Sequence, residues 1–420
     1  MAKQVTFIHA ADLHLGAPFR GLRALSQTWA NRLLSAISES YDRVIEAALK
    51  NEVDFVIIAG DIFDTAQASY VDHLHFFEGL KRLNDAGIAA YLCTGNHDPY
   101  TSWQHEYFAL PANTTMFPAD KPGFAIFEKN GEVLALIGGR GYYNHAWSLN
   151  EDIAQGITRQ AAQKATGTTA PFNIGVIHTG LHLDVQKAPT DPSKLLRAGM
   201  DYWALGHIHL RYANSSENPQ LVFPGCIQGR DIKETGQRGV YRVTLTEGKP
   251  NRLEFIPTSS VVWQRMSIDV SECKRLAEIN NKIVRELFSE NAKTHCEEMC
   301  VRITLTGASD LYQALEKPGV LQDMRKALNE AYPVFFCDAL INKTVQPFDK
   351  EALLKEKLFP AVFLRISAAF KDDHEKNLEY LQDEFIKKNL QLPHACEKEV
   401  PDLVEEAENL VLSLLGRGDS

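Results

Sequence analysis

The sequence predicts an α/β protein in which short buried strands alternate with amphipathic helices. Residues 53–59 (VDFVIIA) form a continuous apolar run, which is typical of a strand buried on both faces of a parallel sheet. Residues 31–50 place their apolar side chains at helical spacing. Strand–helix–strand order favours a layered α/β domain. The chain has 420 residues, which is enough for two or three domains.

The first 260 residues continue this alternation and are predicted to form one domain. After the helix at 31–50, a second helix is expected at 70–86. The predicted strands, in chain order, are 5–10, 53–59, 88–94, 132–138, 173–178, 201–205, 220–224 and 239–245.

The pattern changes near residue 262, where a smaller module begins. Helices are expected at 274–288 and 319–331, and strands at 299–305 and 334–341, so we assign residues 261–346 to a small α+β domain. Residues 347–420 are rich in helix formers and are predicted to be a helical partner-binding region. Its last predicted helix has one apolar stripe over 400–415, with acidic residues such as Glu408 beside it.

Composition excludes several classes of protein. The chain is 45% hydrophobic and 23% charged, which is globular. Its start lacks the pattern of a secretory signal and no stretch approaches 18 apolar residues, so we expect a cytoplasmic protein without a membrane span. The seven cysteines are odd in number and scattered, as in proteins with reduced thiols.

The net charge of −10 argues against a uniformly basic nucleic-acid binder. The charge is unevenly distributed, because residues 1–260 carry a net −3 and residues 261–420 a net −7. Bound divalent cations would offset the charge of the first part, so the acidity does not exclude DNA as a substrate.

Polar clusters follow five of the predicted strands, and eleven of the 14 histidines precede residue 210. Ligands of α/β sheets bind in the crevice at the carboxyl ends of the strands, so these clusters are expected to converge on one pocket. The clusters are Asp12-x-His14, Gly60-Asp61-x-x-Asp64, Gly95-Asn96-His97-Asp98, His178 and Gly206-His207-x-His209.

The residue types predict a metal centre. Carboxylate, amide oxygen and imidazole ligands without a thiolate favour Mn²⁺ or Fe²⁺ over a structural zinc ion. The donors are too many for one ion, and Asp61 could bridge two cations through its two oxygens. Each motif alone also fits an ordinary turn or helix cap. Their occurrence together, each behind a strand, favours two cations.

These motifs resemble those of the calcineurin-like metallophosphoesterases, whose signature is D-x-H, G-D-x-x-D, G-N-H-[DE], H and G-H-x-H in this order. The segments FIHAADLHLGAPFRGL, AGDIFDT and FPGCIQGRDIKETGQRGVY are similar to the SbcD-like DNA-repair exonucleases, in particular their YhaO branch. The resemblance covers residues 1–260. It implies a layered β-sandwich flanked by helices, followed by a small α+β capping domain and C-terminal helices.

The resemblance also implies a role for each residue. His97 would help to protonate the departing 3′ oxygen, and Asp64 would orient His97. Two divalent cations, which we expect to be Mn²⁺, would share Asp61. The ligands of the first would be Asp12, His14, Asp61 and His209, and those of the second Asp61, Asn96, His178 and His207.

The function predicted on this basis is a Mn²⁺-dependent DNA phosphodiesterase with 3′→5′ exonuclease and endonuclease activity. The resemblance implies a homodimer that works in DNA repair with an SbcC-like or YhaN-like ABC-type coiled-coil ATPase, which the 400–415 stripe would contact. Alternatively, that stripe packs on its own domain. Three basic residues in Gly-rich loops, Arg140, Arg230 and Lys233, are expected to meet DNA phosphates; otherwise they are solvated loop charges.

Two other classes of function stay open at this point. The same metal core also suits a small-molecule phosphodiesterase or nucleotidase, although such an enzyme would not need the C-terminal third of the chain. A non-catalytic scaffold is the second alternative, and the presence of every ligand together with His97 argues against it.

Overall fold

The computed structural model confirms the α/β fold class. It describes residues 2–17, 26–66, 68–294, 296–348, 350–355, 359–371, 374–388, 404 and 407–412. The strands are β1 (Gln4–Ala10), β2 (Phe55–Ala59), β3 (Ala89–Cys93), β4 (Thr114–Met116), β5 (Gly123–Lys129), β6 (Glu132–Arg140), β7 (Phe172–His178), β8 (Tyr202–Gly206), β9 (Tyr212–Ala213), β10 (Leu221–Phe223), β11 (Gly239–Thr246), β12 (Arg252–Pro257), β13 (Val261–Asp269), β14 (Glu298–Thr306) and β15 (Phe335–Asn342).

The helices alternate with these strands in the first part of the chain and dominate its last part. A short 3₁₀ helix spans Tyr100–Ser102. The α-helices are α1 (Gln27–Lys50), α2 (Tyr70–Asp85), α3 (Arg159–Thr166), α4 (Pro192–Arg197), α5 (Leu276–Thr294), α6 (Tyr312–Glu316), α7 (Val320–Ala331), α8 (Lys350–Lys355), α9 (Phe359–Lys371) and α10 (His374–Lys387).

Two six-stranded sheets form the framework of the first unit. The first sheet has the order β12-β11-β1-β2-β3-β4, and the second has the order β5-β6-β7-β8-β10-β9. Strands β1, β2, β3 and β4 run parallel to one another, as do β6, β7, β8 and β10. The flanking strands β11, β5 and β9 pair antiparallel with β1, β6 and β10. Parallel neighbours place their carboxyl ends at one edge of a sheet, and the motifs follow those ends.

The two sheets pack face to face. Alternate residues of a strand point to opposite faces, so each strand contributes one set of side chains to the layer between the sheets. Phe7 of β1 stacks on Phe55 of β2 at 4.8 Å between ring centroids and meets Tyr202 of β8 edge-on at 5.4 Å. These rings belong to one buried cluster that draws on both sheets. The layered sandwich is therefore held by aromatic and aliphatic side chains from the inner faces.

Helices cover the outer face of each sheet. Ile8 of β1 and Val56 of β2 pack with Leu33 and Ile37 of α1 on the first sheet. Ser26 caps α1 by accepting a hydrogen bond from the backbone N–H of Trp29 at 3.3 Å. The short helices α3 and α4 contribute buried side chains to two clusters on the second sheet. The first sheet is thus buried on both faces, which accounts for the continuous apolar run of β2.

The third sheet, β13-β14-β15, belongs to the later part of the chain. The described contacts divide the protein into two compact units. The first comprises residues 1–264, 291–301 and 334–338, and the second comprises 265–290, 302–333 and 339–420. The predicted separation of a helical region at 347–420 from the α+β module at 261–346 stays a prediction.

The predicted apolar stripe at 400–415 lies partly outside the described residues. In the described part, Glu408 is buried and Leu410 is 55% exposed. The Glu408 carboxylate accepts a hydrogen bond from Lys350 Nζ at 2.6 Å and lies 3.3 Å from Lys371 Nζ. Glu408, one of the acidic residues predicted beside the stripe, is therefore a buried carboxylate whose burial two lysines compensate.

Two further expectations can be compared with the described residues. No helix there is long and apolar enough to cross a membrane. No disulfide joins the six cysteines that the structure describes, and Cys396 lies outside the described residues.

Candidate metal centre

Five strand ends bring the predicted ligands together. Strands β1, β2 and β3 are neighbours in the first sheet, and β7 and β8 are neighbours in the second. The loops that leave these strands carry the polar motifs, and His178 is itself the last residue of β7. The residues brought together are Asp12, His14, Asp61, Asn96, His178, His207 and His209.

Four of these residues have a left-handed backbone that non-glycine residues seldom adopt. Their φ angles are 52° for Asp12, 50° for His14, 49° for Asp61 and 101° for His207. Backbone hydrogen bonds hold the turns, including Asp12 N–H to the Gly60 carbonyl at 3.1 Å and His14 N–H to the Asp61 carbonyl at 3.0 Å. Strain of this kind is concentrated at functional sites, where the surrounding structure maintains it.

The first donor group contains Asp12, His14 and His209. Nε2 of His14 lies 3.2 Å from Nε2 of His209. Oδ1 of Asp12 lies 3.8 Å from Nε2 of His209, and Oδ2 of Asp61 lies 3.7 Å from Nε2 of His14. These distances bring two imidazole nitrogens and two carboxylates around one point.

The second donor group contains Asp61, His178 and His207, with Asn96 beside them. Oδ1 of Asn96 lies 3.2 Å from Nε2 of His178 and 3.1 Å from Nδ1 of His207. Oδ2 of Asp61 lies 3.3 Å from Nε2 of His178. The same oxygen of Asp61 therefore faces both donor groups.

Burial controls the charges at this centre. Asp12, His14 and Asp61 are each 1% exposed. Burial holds the pKa of His14 well below its usual value, so its imidazole is in the neutral form that ligates metals. Burial acts to raise the pKa of Asp61, but His178 and His14 outweigh it and keep that pKa well below its usual range. Buried carboxylates beside imidazole nitrogens fit divalent cations.

Three acceptors, none of them predicted from the sequence, orient the histidines. Nδ1–H of His209 donates to Glu234 at 2.5 Å, and Nε2–H of His207 donates to Asp184 at 3.1 Å. Nδ1–H of His178 donates to the Ala59 carbonyl at 2.9 Å. Each bond leaves the opposite ring nitrogen for a metal, as in carboxylate–histidine–metal triads.

The sequence contains only a weak signal for these acceptors. Glu234 lies within the tract FPGCIQGRDIKETGQRGVY, but its type alone does not separate it from a surface acid. Burial opposes ionisation of Glu234, yet His209 and Arg230 lower its pKa to about 2. Glu234 is therefore a partly buried anion that holds His209, and only its partner reveals this role.

His97 and Asp64 lie at the exposed rim of the centre. The backbone N–H of His97 donates to Oδ1 of Asp61 at 2.8 Å. Nδ1 of His97 lies 3.8 Å from Oδ2 of Asp64, and the interaction with Asp64 raises the pKa of His97. The ring of His97 meets that of His14 edge-on, with 4.9 Å between centroids. A histidine with a raised pKa beside the donor groups is suited to deliver a proton.

Asp98 ties two of the ligand loops together. It is fully buried and accepts backbone hydrogen bonds from Gly95 at 2.7 Å and Ile62 at 2.8 Å. Burial, reinforced by Asp61, raises the pKa of Asp98 to about 8. Asp98 thus connects the loop after β2 with the loop after β3, and its role is to position those loops.

The three basic residues expected to meet DNA have different surroundings. Nη2 of Arg230 lies 3.4 Å from Nδ1 of His209, and Lys233 is exposed nearby in sequence. Arg140 is 7% exposed, pairs with Glu151 at 2.7 Å and lies 4.9 Å over the Trp147 ring. Its guanidinium also donates to the Asp120 carbonyl at 3.0 Å. These partners engage the charge of Arg140 within the loop at 140–151, and its contact with DNA stays a prediction.

Comparisons with known proteins agree with this geometry. The profile of the calcineurin-like phosphoesterases matches residues 5–211, and that of the metallophosphoesterase YhaO middle domain matches residues 263–345. Over 333 residues the chain is 35% identical to the metallophosphoesterase YhaO of Bacillus subtilis, covering 79% of this chain and 78% of that protein. The chain belongs to the calcineurin-like metallophosphoesterase family. It is therefore a metal-dependent phosphoesterase.

A more distant relative extends the comparison. Over 334 residues the chain is 22% identical to the DNA double-strand break repair protein Mre11 of Aeropyrum pernix. The similarity covers 77% of this chain and 78% of that protein. The match to this relative thus continues beyond residues 5–211, into the later part of the chain.

The contact between Glu234 and His209 predicts an effect on metal affinity. Glu234→Gln removes the carboxylate that orients His209, so we expect metal affinity or activity to fall by about 10- to 100-fold. Isothermal titration with Mn²⁺ checks this. Glu217→Gln, at an exposed position, is the matched control and should leave the affinity unchanged. Equal affinities for the two variants would contradict the orienting role of Glu234.

Proposed function

We propose that this protein is a Mn²⁺-dependent phosphodiesterase that cleaves DNA, with 3′→5′ exonuclease and endonuclease activity, in cytoplasmic DNA repair. The observation that supports it most is the position of Asp61. Its Oδ2 lies 3.7 Å from His14 in one donor group and 3.3 Å from His178 in the other. A carboxylate shared in this way suits a pair of cations on either side of it.

Two ions would divide the donors between them. The first would be held by Asp12, His14, Asp61 and His209, and the second by Asp61, Asn96, His178 and His207. Nitrogen and oxygen donors without a thiolate suit Mn²⁺. When bound, such ions stabilise the charge of a phosphodiester and lower the pKa of water.

The residues of the chain supply the remaining steps. His97, held at the rim by Asp64, donates its proton to the 3′ oxygen as the P–O3′ bond breaks. Water adds to phosphorus, so the products are a 5′-phosphate and a 3′-hydroxyl. The Asp64 carboxylate favours the protonated form of His97, because it raises the pKa of that imidazole.

DNA is favoured over a small ester for two reasons. The similarity to a protein named for DNA double-strand break repair extends over 77% of the chain. The basic residues Arg230 and Lys233 follow the ligand loop of β8, and the structure places Arg230 beside His209. A cation at that position is suited to a phosphate that approaches the metals.

Activity on DNA is the first prediction to test. The protein should release 5′-mononucleotides from 3′-labelled duplex DNA with Mn²⁺. Asp61→Ala should abolish cleavage, because it removes the shared ligand. His97→Ala should slow cleavage by about 10²- to 10⁴-fold while Mn²⁺ stays bound, because it removes only the proton donor. Product analysis and metal content measure the two effects.

The controls separate the nuclease from other phosphoesterases. His75→Ala changes a histidine of α2 that pairs with Asp42 and belongs to none of the ligand motifs, and it should retain full activity. Bis(p-nitrophenyl) phosphate reports the metal core without any requirement for DNA. If the wild-type protein hydrolyses this ester but no DNA, the nuclease proposal is wrong and a small-molecule phosphodiesterase is favoured. Full activity of His97→Ala on DNA would exclude His97 as the donor.

Lys233 is predicted to contact a DNA phosphate. Lys233→Ala should weaken binding uniformly across sequences and reduce the slope of log K against log[salt] by about 1. Lys249→Ala is the matched control. Lys249 lies in the turn that joins β11 to β12. This turn is near the amino end of β1, where Glu247 N–H donates to the Lys3 carbonyl, whereas the ligand motif follows the carboxyl end of β1. Fluorescence anisotropy at several salt concentrations measures both slopes. An unchanged slope for Lys233→Ala would remove this contact.

The proposed partner is the ABC-type coiled-coil ATPase that the resemblance implies, bound through the C-terminal helices of a homodimer. This proposal is supported by exposed apolar side chains in the C-terminal region, including Phe359, Ile366 and Leu410. Leu410→Asp and removal of residues 396–420 should both abolish co-purification of the ATPase. Leu196→Asp, at an exposed position of α4, should retain it. Binding that survives both changes would exclude this docking surface.

A further inference from the structure

A cleft beside the metal centre is not used by the steps described above. It has a volume of about 770 Å³, which is within the size range of small-molecule pockets. Its lining includes three aromatic side chains, Tyr100, Tyr143 and Trp147. We call it the aromatic cleft.

Two chain segments connect the aromatic cleft with the metal centre. Tyr100 follows the motif that contains Asn96 and His97, and its backbone N–H donates to the Tyr142 carbonyl at 2.9 Å. His145 Nδ1–H donates to the Asn96 carbonyl at 2.8 Å. The Tyr142 ring meets His178 at 5.6 Å and Trp147 at 5.2 Å between centroids. One buried ring therefore separates a predicted metal ligand from the cleft wall.

The charges of the aromatic cleft disfavour a phosphate. Its lining contains one cation, Arg140, and two acids, Asp120 and Glu151. Arg140 is already paired with Glu151 at 2.7 Å. The net negative lining would repel an anionic group, whereas an uncharged planar group would not be repelled.

Tyr143 offers a flat surface to such a planar group. Its ring is 50% exposed and stacks on Tyr100 with 6.0 Å between centroids and 17° between planes. Because Tyr143 is half exposed, part of its ring surface is accessible to a ligand. Asn144, which accepts a hydrogen bond from Thr101 Oγ1 at 3.1 Å, keeps its amide N–H groups for a polar edge.

We propose that the aromatic cleft binds an unpaired nucleobase, stacked on Tyr143, of a nucleotide that flanks the scissile phosphate. This inference rests on the proposed cleavage of DNA and adds a binding subsite to it. Stacking on an aromatic side chain accepts every base, so the subsite favours single-stranded ends without reading their sequence.

Fluorescence tests the stacking without relying on cleavage. In a His97→Ala background, a single-stranded oligonucleotide with 2-aminopurine at the terminal or penultimate 3′ position should be quenched on binding. Tyr143→Ala should remove the quenching at one of these positions, and Tyr143→Phe should keep it, because the ring is retained. Unchanged quenching in Tyr143→Ala at both positions would overturn the proposal.

Kinetics give an independent comparison. Tyr143→Ala should raise KM for single-stranded DNA by about 5- to 150-fold. On a substrate with an abasic residue at the stacked position, the wild-type and Tyr143→Ala proteins should have equal KM values. Tyr107→Ala, an exposed tyrosine outside the cleft, should behave as wild type on both substrates.

The outcomes distinguish the subsite from the function on which it rests. Equal KM increases for intact and abasic DNA would mean that Tyr143 acts on the fold and not on a base, which overturns the subsite alone. An unchanged KM in Tyr143→Ala would also overturn the subsite alone. A wild-type protein that hydrolyses bis(p-nitrophenyl) phosphate but neither binds nor cleaves DNA would overturn the nuclease function and the subsite together.

Discussion

The buried carboxylate of Asp61 is the constraint on which the centre depends. An isolated charge with 1% exposure would be very unfavourable, so partners must surround it. Histidines approach it from both donor groups, and the backbone N–H of His97 donates to its other oxygen. Gly95 has to be glycine, because a Cβ there would lie 2.2 Å from Asp61 Oδ1. The two loops after β2 and β3 are thereby shaped around one side chain.

A second layer of acceptors converts nearby histidines into directed ligands. An imidazole can present either nitrogen, and the hydrogen bond at the opposite nitrogen decides which one. Glu234, Asp184 and the Ala59 carbonyl make this choice for His209, His207 and His178. The opposite nitrogens of His209, His178 and His207 then face Asp12, Asp61 and Asn96 respectively. Affinity for metal is therefore built partly from residues that do not touch it.

Electrostatics also explain how an acidic chain is compatible with an anionic substrate. The net charge of −10 includes buried carboxylates of the centre, whose charge the cations would offset, and Glu408, which two lysines neutralise. Arg230, which lies beside His209, is a cation proposed to meet the substrate. Arg140 is paired within the protein, with Glu151 and over the Trp147 ring. A residue count cannot separate these cases, because it does not show which charges are paired.

The sequence by itself determined the α/β class and the order of the motifs behind the strands. Both depend on local patterns, namely apolar runs, helical spacing and polar residues at strand ends. Tertiary structure decided the left-handed backbone of Asp12 and His14, the acceptors Glu234 and Asp184, and the pairing of Arg140. These features arise where segments distant in the chain meet, as His207 and Asp12 do although they are 195 positions apart in the sequence. Local patterns carry no record of such contacts, because the identity of a side chain does not specify its neighbours in space.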